Sequence, residues 1–341
     1  MSGGNAVVKV LDPPAHMVEK VGAKMLQLAA YDVERSGKAY ISEVNECFRS
    51  NDITPKRFYV DTFANGIIVY TCFFDPSSCT EDKLSQLAQT LRYVCHFKHN
   101  PKKSALVWDL VLKNLITPEH AIFLITAAKF IFSFFPKETE EYLALAEYFK
   151  NDPSKKSELD TLFRNTMSNA ITYERIYDAL TSNYHLTLPM FEDFKKVATG
   201  ECKPFYNEEL AAKVDDEVGS RLDAKILKTL LKLNAHLQMT NFFKPTGTAS
   251  AIAMRFDGGV LADRPRTLFP TIPYAVYLVV GRSFYGFHIR FTEIARGGIR
   301  LILSRNRQVY KKNCATLLEE NYNLAYTQQL KNKDIAEGGS K

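Results

Sequence analysis

F-H-I-R-F-T-E-I-A-R-G-G-I-R, residues 287–300, opens the part of the chain from which the rest is read. Phe287 to Phe291 alternates partly between apolar and polar side chains, as a strand does, and Arg296 stands immediately before Gly297-Gly298. From about Asn306 to Leu330 the spacing predicts a long helix, with Val309, Cys314, Leu317, Leu318, Tyr322 and Ala325 on one side. The chain then runs through K-N-K-D-I-A-E-G-G-S-K, residues 331–341, where Gly338-Gly339 precedes Lys341. Glycine lets a backbone approach a ligand closely, and Arg and Lys supply donors for carboxylate or phosphate. Strands, a long helix and two Gly-Gly pairs beside cations predict an α/β layer. The ends of its elements would form a pocket for a small anion with more than one negative group.

Working back from this stretch, Ala249–Phe256 and Tyr274–Val280 are apolar runs of strand type, separated by Gly258-Gly259, Pro265 and Pro270. Between Lys102 and His236 nearly everything reads as helix. Thr117-Pro118 is a cap and first-turn signal. N-D-P-S-K-K, 151–156, reads as a loop, and Asp216–Leu237 as one long amphipathic helix. Nearer the start, F-Y-V-D-T-F-A and I-I-V-Y-T-C-F-F flank Asn65-Gly66, which predicts a hairpin with a type I′ turn. Thr80 caps a following helix, Glu81–Val94, and Pro14–Arg35 shows helical spacing.

The fold class expected is therefore α/β, α+β when the whole chain is considered. It has an α/β module over 1–100, a mainly helical region over 101–239 and an α/β domain over 240–341. The first module resembles an ACT-like regulatory fold, and a structural layer without ligand is the other reading.

Composition bounds the function. In 341 residues, 46% are hydrophobic and 24% charged, as in ordinary globular chains. A net charge of +6 spread along the chain mildly favours anionic ligands but is too weak to argue for nucleic acid. The cations Arg296, Arg300, Arg305, Arg307, Lys311 and Lys312 lack the aromatic platforms of a nucleic-acid stripe. The most apolar run, Ala121–Phe135, contains Lys129 and is shorter than the ~20 residues that span a bilayer, so no membrane segment is expected. The six cysteines show no C-x-x-C or zinc spacing, so reduced thiols and no metal are expected. The opening M-S-G-G-N-A-V-V-K lacks a secretory apolar core, and the reading is intracellular, cytoplasmic or mitochondrial.

A-R-G-G-I-R (295–300), E-N-Y-N-L-A-Y-T-Q-Q (320–329) and K-N-K-D-I-A-E-G-G-S-K (331–341), with T-N-F-F-K-P-T (240–246) upstream, resemble the substrate-domain motifs of the large-subunit, NAD-specific glutamate dehydrogenases. The resemblance implies oxidative deamination of L-glutamate to 2-oxoglutarate and ammonium, with NAD as cofactor and assembly into a homo-oligomer. Arg296 falls where the smaller enzymes carry a carboxylate-binding lysine, so Arg296, Gly297 and Gly298 are candidates for holding substrate. Arg300 matches the arginine of the same loop and reads as its support. Gln328 and Lys331 match the polar residue and lysine that hold the α-carboxylate. Spaced three apart on a helix, they would project from one face.

Lys341 matches the catalytic lysine, which must be desolvated and surrounded by cations to act as a base near neutral pH. Ala336 replaces the proline usual in that loop. No G-x-G-x-x-G follows a strand, so the dinucleotide-binding domain is expected beyond residue 341. The alternative is a short paralogue that binds glutamate or regulates full-length subunits without catalysis.

Overall fold

The computed structural model describes residues 7–18, 24–31, 40–75, 77, 79–97, 105–136, 140–244, 251–266, 268–281, 284–293, 298–331 and 339–340. It is a mixed α/β structure that divides into two compact units. The first comprises Met1–Thr126, Thr240–Ile252 and Gly281–Phe284, and the second Ala127–Met239, Ala253–Val280 and Tyr285–Lys341.

In the first unit, strands β1 (Val7–Leu11), β2 (Lys24–Tyr31), β3 (Arg57–Thr62) and β4 (Ile67–Phe74) form an antiparallel sheet in the order β1-β2-β4-β3. Helix α1 (Ile41–Ser50) connects β2 to β3, and α2 (Glu81–Phe97) follows β4. With β4 between β2 and β3, this is the split β-α-β arrangement of ferredoxin-like folds. The edge beside β2 is filled by β1, which comes earlier in the chain.

Alternation along β2 buries Leu26, Leu28 and Ala30, and β4 contributes Ile68, Tyr70, Cys72 and Phe74. Leu84, Leu87, Leu91 and Val94 of α2 recur every three or four residues and are buried. Each such side chain contributes roughly 1.5–3 kcal/mol. Phe48 of α1 meets Phe58 and Phe74 edge-on at 6.1 and 5.9 Å. Arg92 of α2 donates from Nη2 to the carbonyl of Val8 at 2.6 Å, tying the helix to the β1 edge. Burial pushes the Cys72 thiol up to about 12, so it is inert at neutral pH.

Two expectations fail in this unit. Residues 24–31 are a central strand, paired on both sides, where helical spacing was read. Non-local pairing with β1 and β4 decides the conformation there. The hairpin is present, but its turn is not type I′. The Gly66 N–H bonds the Phe63 carbonyl at 2.9 Å and the Phe63 N–H bonds the Ile67 carbonyl at 2.8 Å. Gly66 has φ 82°, whereas Asn65 keeps a negative φ. This is a three-residue loop with the glycine in the left-handed region, as in a type I turn closed by a bulge.

Helices α3 (Ala105–Leu112) and α4 (Pro118–Phe134) come next. The Thr117 hydroxyl accepts the His120 N–H at 3.1 Å, as the Thr-Pro signal predicts. Helices α5 (Glu140–Tyr148), α6 (Pro153–Ala170), α7 (Tyr173–Ser182), α8 (Tyr184–Thr199), α9 (Glu208–Glu217) and α10 (Arg221–His236) follow within the second unit.

The loop read over 151–156 is largely helix. Asp152 accepts the Lys155 N–H at 3.1 Å and Pro153 occupies the first turn. The single helix expected over 216–237 is broken at Val218–Ser220. The Ser220 hydroxyl accepts the Asp223 N–H at 3.3 Å and starts a new helix, so a local cap outweighs the continuous apolar stripe.

The second sheet has the order β5-β6-β7-β8-β9, from β5 (Leu237–Thr240), β6 (Ala251–Asp257), β7 (Ala275–Gly281), β8 (Tyr285–Arg290) and β9 (Gly339–Ser340). Met254, Phe256, Leu278, Phe287 and Ile289 are buried. Phe130 and Phe134 of α4 pack on Phe256 with centroids 5.0 and 6.1 Å apart, and Phe134 meets Phe287 edge-on at 5.8 Å. Arg264, 7% exposed, donates to the carbonyls of Phe135 and Ser133 at 3.1 and 3.0 Å, satisfying the end of α4. Among the described residues no helix is long and apolar enough to cross a membrane.

Candidate functional site

Strand β8 is the element beside which described residues of two of the three motifs, Asn321 and Gly339-Ser340, are brought together. On one side it pairs antiparallel with β7, Tyr277 opposite His288. On the other it pairs antiparallel with β9, so that His288 faces Ser340 and Ile289 faces Gly339. Gly339-Ser340, distant in sequence, therefore lies against the F-H-I-R strand. Helix α11 (Arg307–Gln329), capped by the Asn306 side chain on the Val309 N–H at 2.9 Å, packs on both strands.

Asn321 and Tyr322 set the register of α11. Asn321 is fully buried and donates from Nδ2 to the Phe287 carbonyl at 3.3 Å. Tyr322, also fully buried, meets Phe269 and Phe291 at 4.7 and 5.4 Å. Tyr326 reaches Phe291 at 5.7 Å. The last turn of α11 thus lies toward the end of β8 at which Gly339 pairs.

Gln328 is half-buried on that last turn, and Lys331 is exposed just beyond it. The helix stops at Gln329, so Lys331 is not on the regular helix that the spacing implied. The Lys331 N–H bonds the Gln328 carbonyl at 3.1 Å, one turn of 3-10 type, in which residues three apart eclipse and still share a face. Gly298 is described, and among the described residues, its chain neighbours aside, nothing lies within 4 Å of a Cβ built on it. Arg300 is exposed. Arg296, Gly297 and Lys341 lie outside the described residues, as do Ala336 and Gly338.

The electrostatics around β8 are cationic. The Arg290 Nε donates to His288 Nε2 at 2.8 Å, and the Arg290 guanidinium sits 5.2 Å from the centre of the Tyr277 ring. Burial, and then the charge on Arg290, hold the His288 imidazole below its ordinary range, so it is neutral and accepts at Nε2. The packed or hydrogen-bonded role that its place in a strand suggests is the one it has.

Two residues that set this geometry, Asn321 and Tyr322, carry no catalytic signature. Asn321 could have been found as a polar side chain on the buried side of α11, beside Leu317, Leu318 and Ala325. Such a group needs a buried partner.

Comparison with known proteins bears on the whole chain. The family described as "Bacterial NAD-glutamate dehydrogenase, catalytic domain" matches residues 209–341. "Glutamate dehydrogenase 2" of Dictyostelium discoideum is 35% identical over 90% of this chain and 30% of its own length. The "NAD-specific glutamate dehydrogenase" of Saccharomyces cerevisiae is 30% identical over 89% of this chain and 30% of its own. That of Neurospora crassa is 26% identical over 96% and 32%. The similarity thus reaches well upstream of Thr240, and the chain spans about a third of the length of these relatives. By these similarities the chain belongs to the large-subunit, NAD-specific glutamate dehydrogenase family.

Proposed function

We propose that this chain supplies the glutamate-holding part of an NAD-dependent enzyme that oxidatively deaminates L-glutamate to 2-oxoglutarate and ammonium. The observation that carries the reading is the pairing of β9 with β8, with the last turn of α11 at the same end. This arrangement brings the segments that end in Lys331 and Lys341 to one strand, which supports a site for a substrate with two carboxylates. Gln328 and Lys331, on a shared face, hold the α-carboxylate. Arg296, with the backbone at Gly297 and Gly298, holds the other. The space left beside Gly298 among the described residues supports an approach of ligand to that backbone.

Lys341 manages protons at the reacting carbon, its pKa lowered by desolvation and by neighbouring cations. No G-x-G-x-x-G sequence occurs in the chain, so no residue here is assigned to NAD, and residues beyond 341 would hold it. The 341-residue chain by itself would bind glutamate without oxidising it.

Replacing Lys331 by Ala in the full-length enzyme tests the reading. Loss of a charge-assisted hydrogen bond of about 1.5–3 kcal/mol should raise the KM for glutamate roughly 10- to 150-fold. An unchanged KM would remove Lys331 from the site.

A further inference from the structure

We propose that the free edge of β3 pairs with the same edge of a second copy of this chain. The two strands would run antiparallel, with Tyr59 opposite Tyr59 on a two-fold axis. The inference rests on the first unit and does not depend on the glutamate reading.

Among the described residues strand β3 ends its sheet, and every residue of it except Phe58 is exposed. Tyr59 is 42%, Val60 37% and the following Phe63 55% exposed. Edge strands in solution are normally short, twisted away or guarded by inward-pointing charges or proline, because their unpaired backbone recruits other strands. Here R-F-Y-V-D-T has six residues, no proline and four with strong strand preference.

Backbone alternation states which groups are on offer. The Phe63 N–H bonds the Ile67 carbonyl, and Asp61 faces Val69 and Tyr59 faces Thr71 in the ladder. Hydrogen-bonded pairs alternate along an antiparallel ladder. The N–H and C=O groups of Tyr59 and Asp61 therefore point toward β4, and those of Phe58, Val60 and Thr62 point outward. An isologous antiparallel pairing must join outward groups to outward groups. Pairing Phe58 with the partner's Val60, and the reverse, does this through two doubly bonded pairs.

Charge selects this register among those the backbone allows. It places Arg57 opposite the partner's Asp61 and Asp61 opposite the partner's Arg57, so the edge is complementary to itself. Sliding by two residues one way sets Arg57 against Phe63 and Asp61 against Tyr59. Sliding the other way sets Arg57 against Tyr59 and leaves Asp61 opposite Pro55. Both slides leave the four charges unpaired. Arg57, Tyr59 and Asp61 share the sheet face away from α1, so the two ion pairs would flank the Tyr59 pair. On the other face Phe58 already stacks on Tyr70, with centroids 5.8 Å apart and planes 9° apart, and it would meet the partner's Val60. The repeated surface, with each residue meeting its symmetry counterpart, is that of a two-fold dimer.

The test uses the 341-residue chain. Sedimentation equilibrium should give a reversible dimer. Arg57→Asp alone and Asp61→Arg alone should each weaken association about tenfold or more, and the double reversal should restore it. Val60→Pro removes an outward N–H that β4 does not use and should also abolish the dimer.

Under mild oxidation Tyr59→Cys should yield a disulfide-linked dimer, because directly opposed residues of a non-hydrogen-bonded pair lie about 4.5 Å apart at Cα. Circular dichroism matching the unsubstituted chain establishes that each variant is folded. Three results would overturn the proposal. One is a monomer at every concentration, with Tyr59→Cys unlinked, which assigns the edge to a different partner. Another is association indifferent to both single reversals. The last is a double reversal weaker than either single one.

Discussion

Tyr322 and Thr271 exchange two hydrogen bonds: the tyrosine hydroxyl donates to the Thr271 carbonyl at 2.6 Å and accepts the Thr271 N–H at 2.9 Å. One side chain on α11 therefore satisfies both backbone groups of a residue in the loop before β7. Tyr322→Phe keeps the ring contacts with Phe269, Phe291 and Tyr326 and removes only the hydroxyl. The expected loss is about 1–3 kcal/mol, read as a lower urea midpoint with an unchanged slope. A midpoint equal to that of the unsubstituted chain would show that water replaces the hydroxyl without penalty.

Arg264 closes the end of α4 by donating to the carbonyls of Ser133 and Phe135, with its guanidinium 5.5 Å from the centre of the Phe269 ring. Arg264→Met retains much of the apolar stem and deletes the donors, leaving helix-end carbonyls buried without partners. We expect roughly 2–4 kcal/mol of destabilisation by chemical unfolding. A loss under 1 kcal/mol would place the stabilisation in packing of the stem instead.

His288 makes stability depend on pH. Burial first, and Arg290 second, lower its native pKa, so unfolding takes up a proton. Its contribution is whole above the unfolded value of about 6.5 and falls away as the pH drops toward and through the native value. His288→Gln should flatten the acid-side decline in unfolding free energy just below about pH 6.5. If the variant and the unsubstituted chain decline in parallel, other groups carry that slope.

Lys341, as the proposed proton carrier, should be indispensable to rate and secondary to binding. In the full-length enzyme Lys341→Met should lower kcat by roughly 10²–10⁴ and leave the KM for glutamate within a few-fold. A variant retaining kcat would require a different base.

What was legible in the sequence follows from how local each decision is. Asn65-Gly66 located the hairpin because the loop needs positive φ at one residue, but Gly66 alone supplies it. The helix read as 306–330 is α11 almost residue for residue, with its cap at Asn306. The strands at Tyr274–Val280 and Phe287–Phe291 are β7 and β8 to within two residues. Residues 24–31 were misread because Met25, Leu26 and Ala29 fit helical spacing, while the pairings that make them a strand come from residues 7–11 and 67–74.

Gln328 and Lys331 were marked by a resemblance in motif, and the backbone between them closes a 3-10 turn. The roles of Asn321 and Tyr322 were not, since they depend on β8 and on Thr271, far away in sequence.

Among the described residues β9 meets β8 at two positions, Ser340 beside His288 and Gly339 beside Ile289. At about 1 kcal/mol net for each hydrogen bond, two such pairs are a small part of a global stability nearer 5–15 kcal/mol. Helix α11 is held to the same sheet by different means, the fully buried Asn321 and Tyr322. Loss of the two β9 pairings would therefore leave the seat of α11 on β8 intact, and the amide hydrogens of Gly339 and Ser340 should exchange with solvent faster than those of the buried β7–β8 ladder.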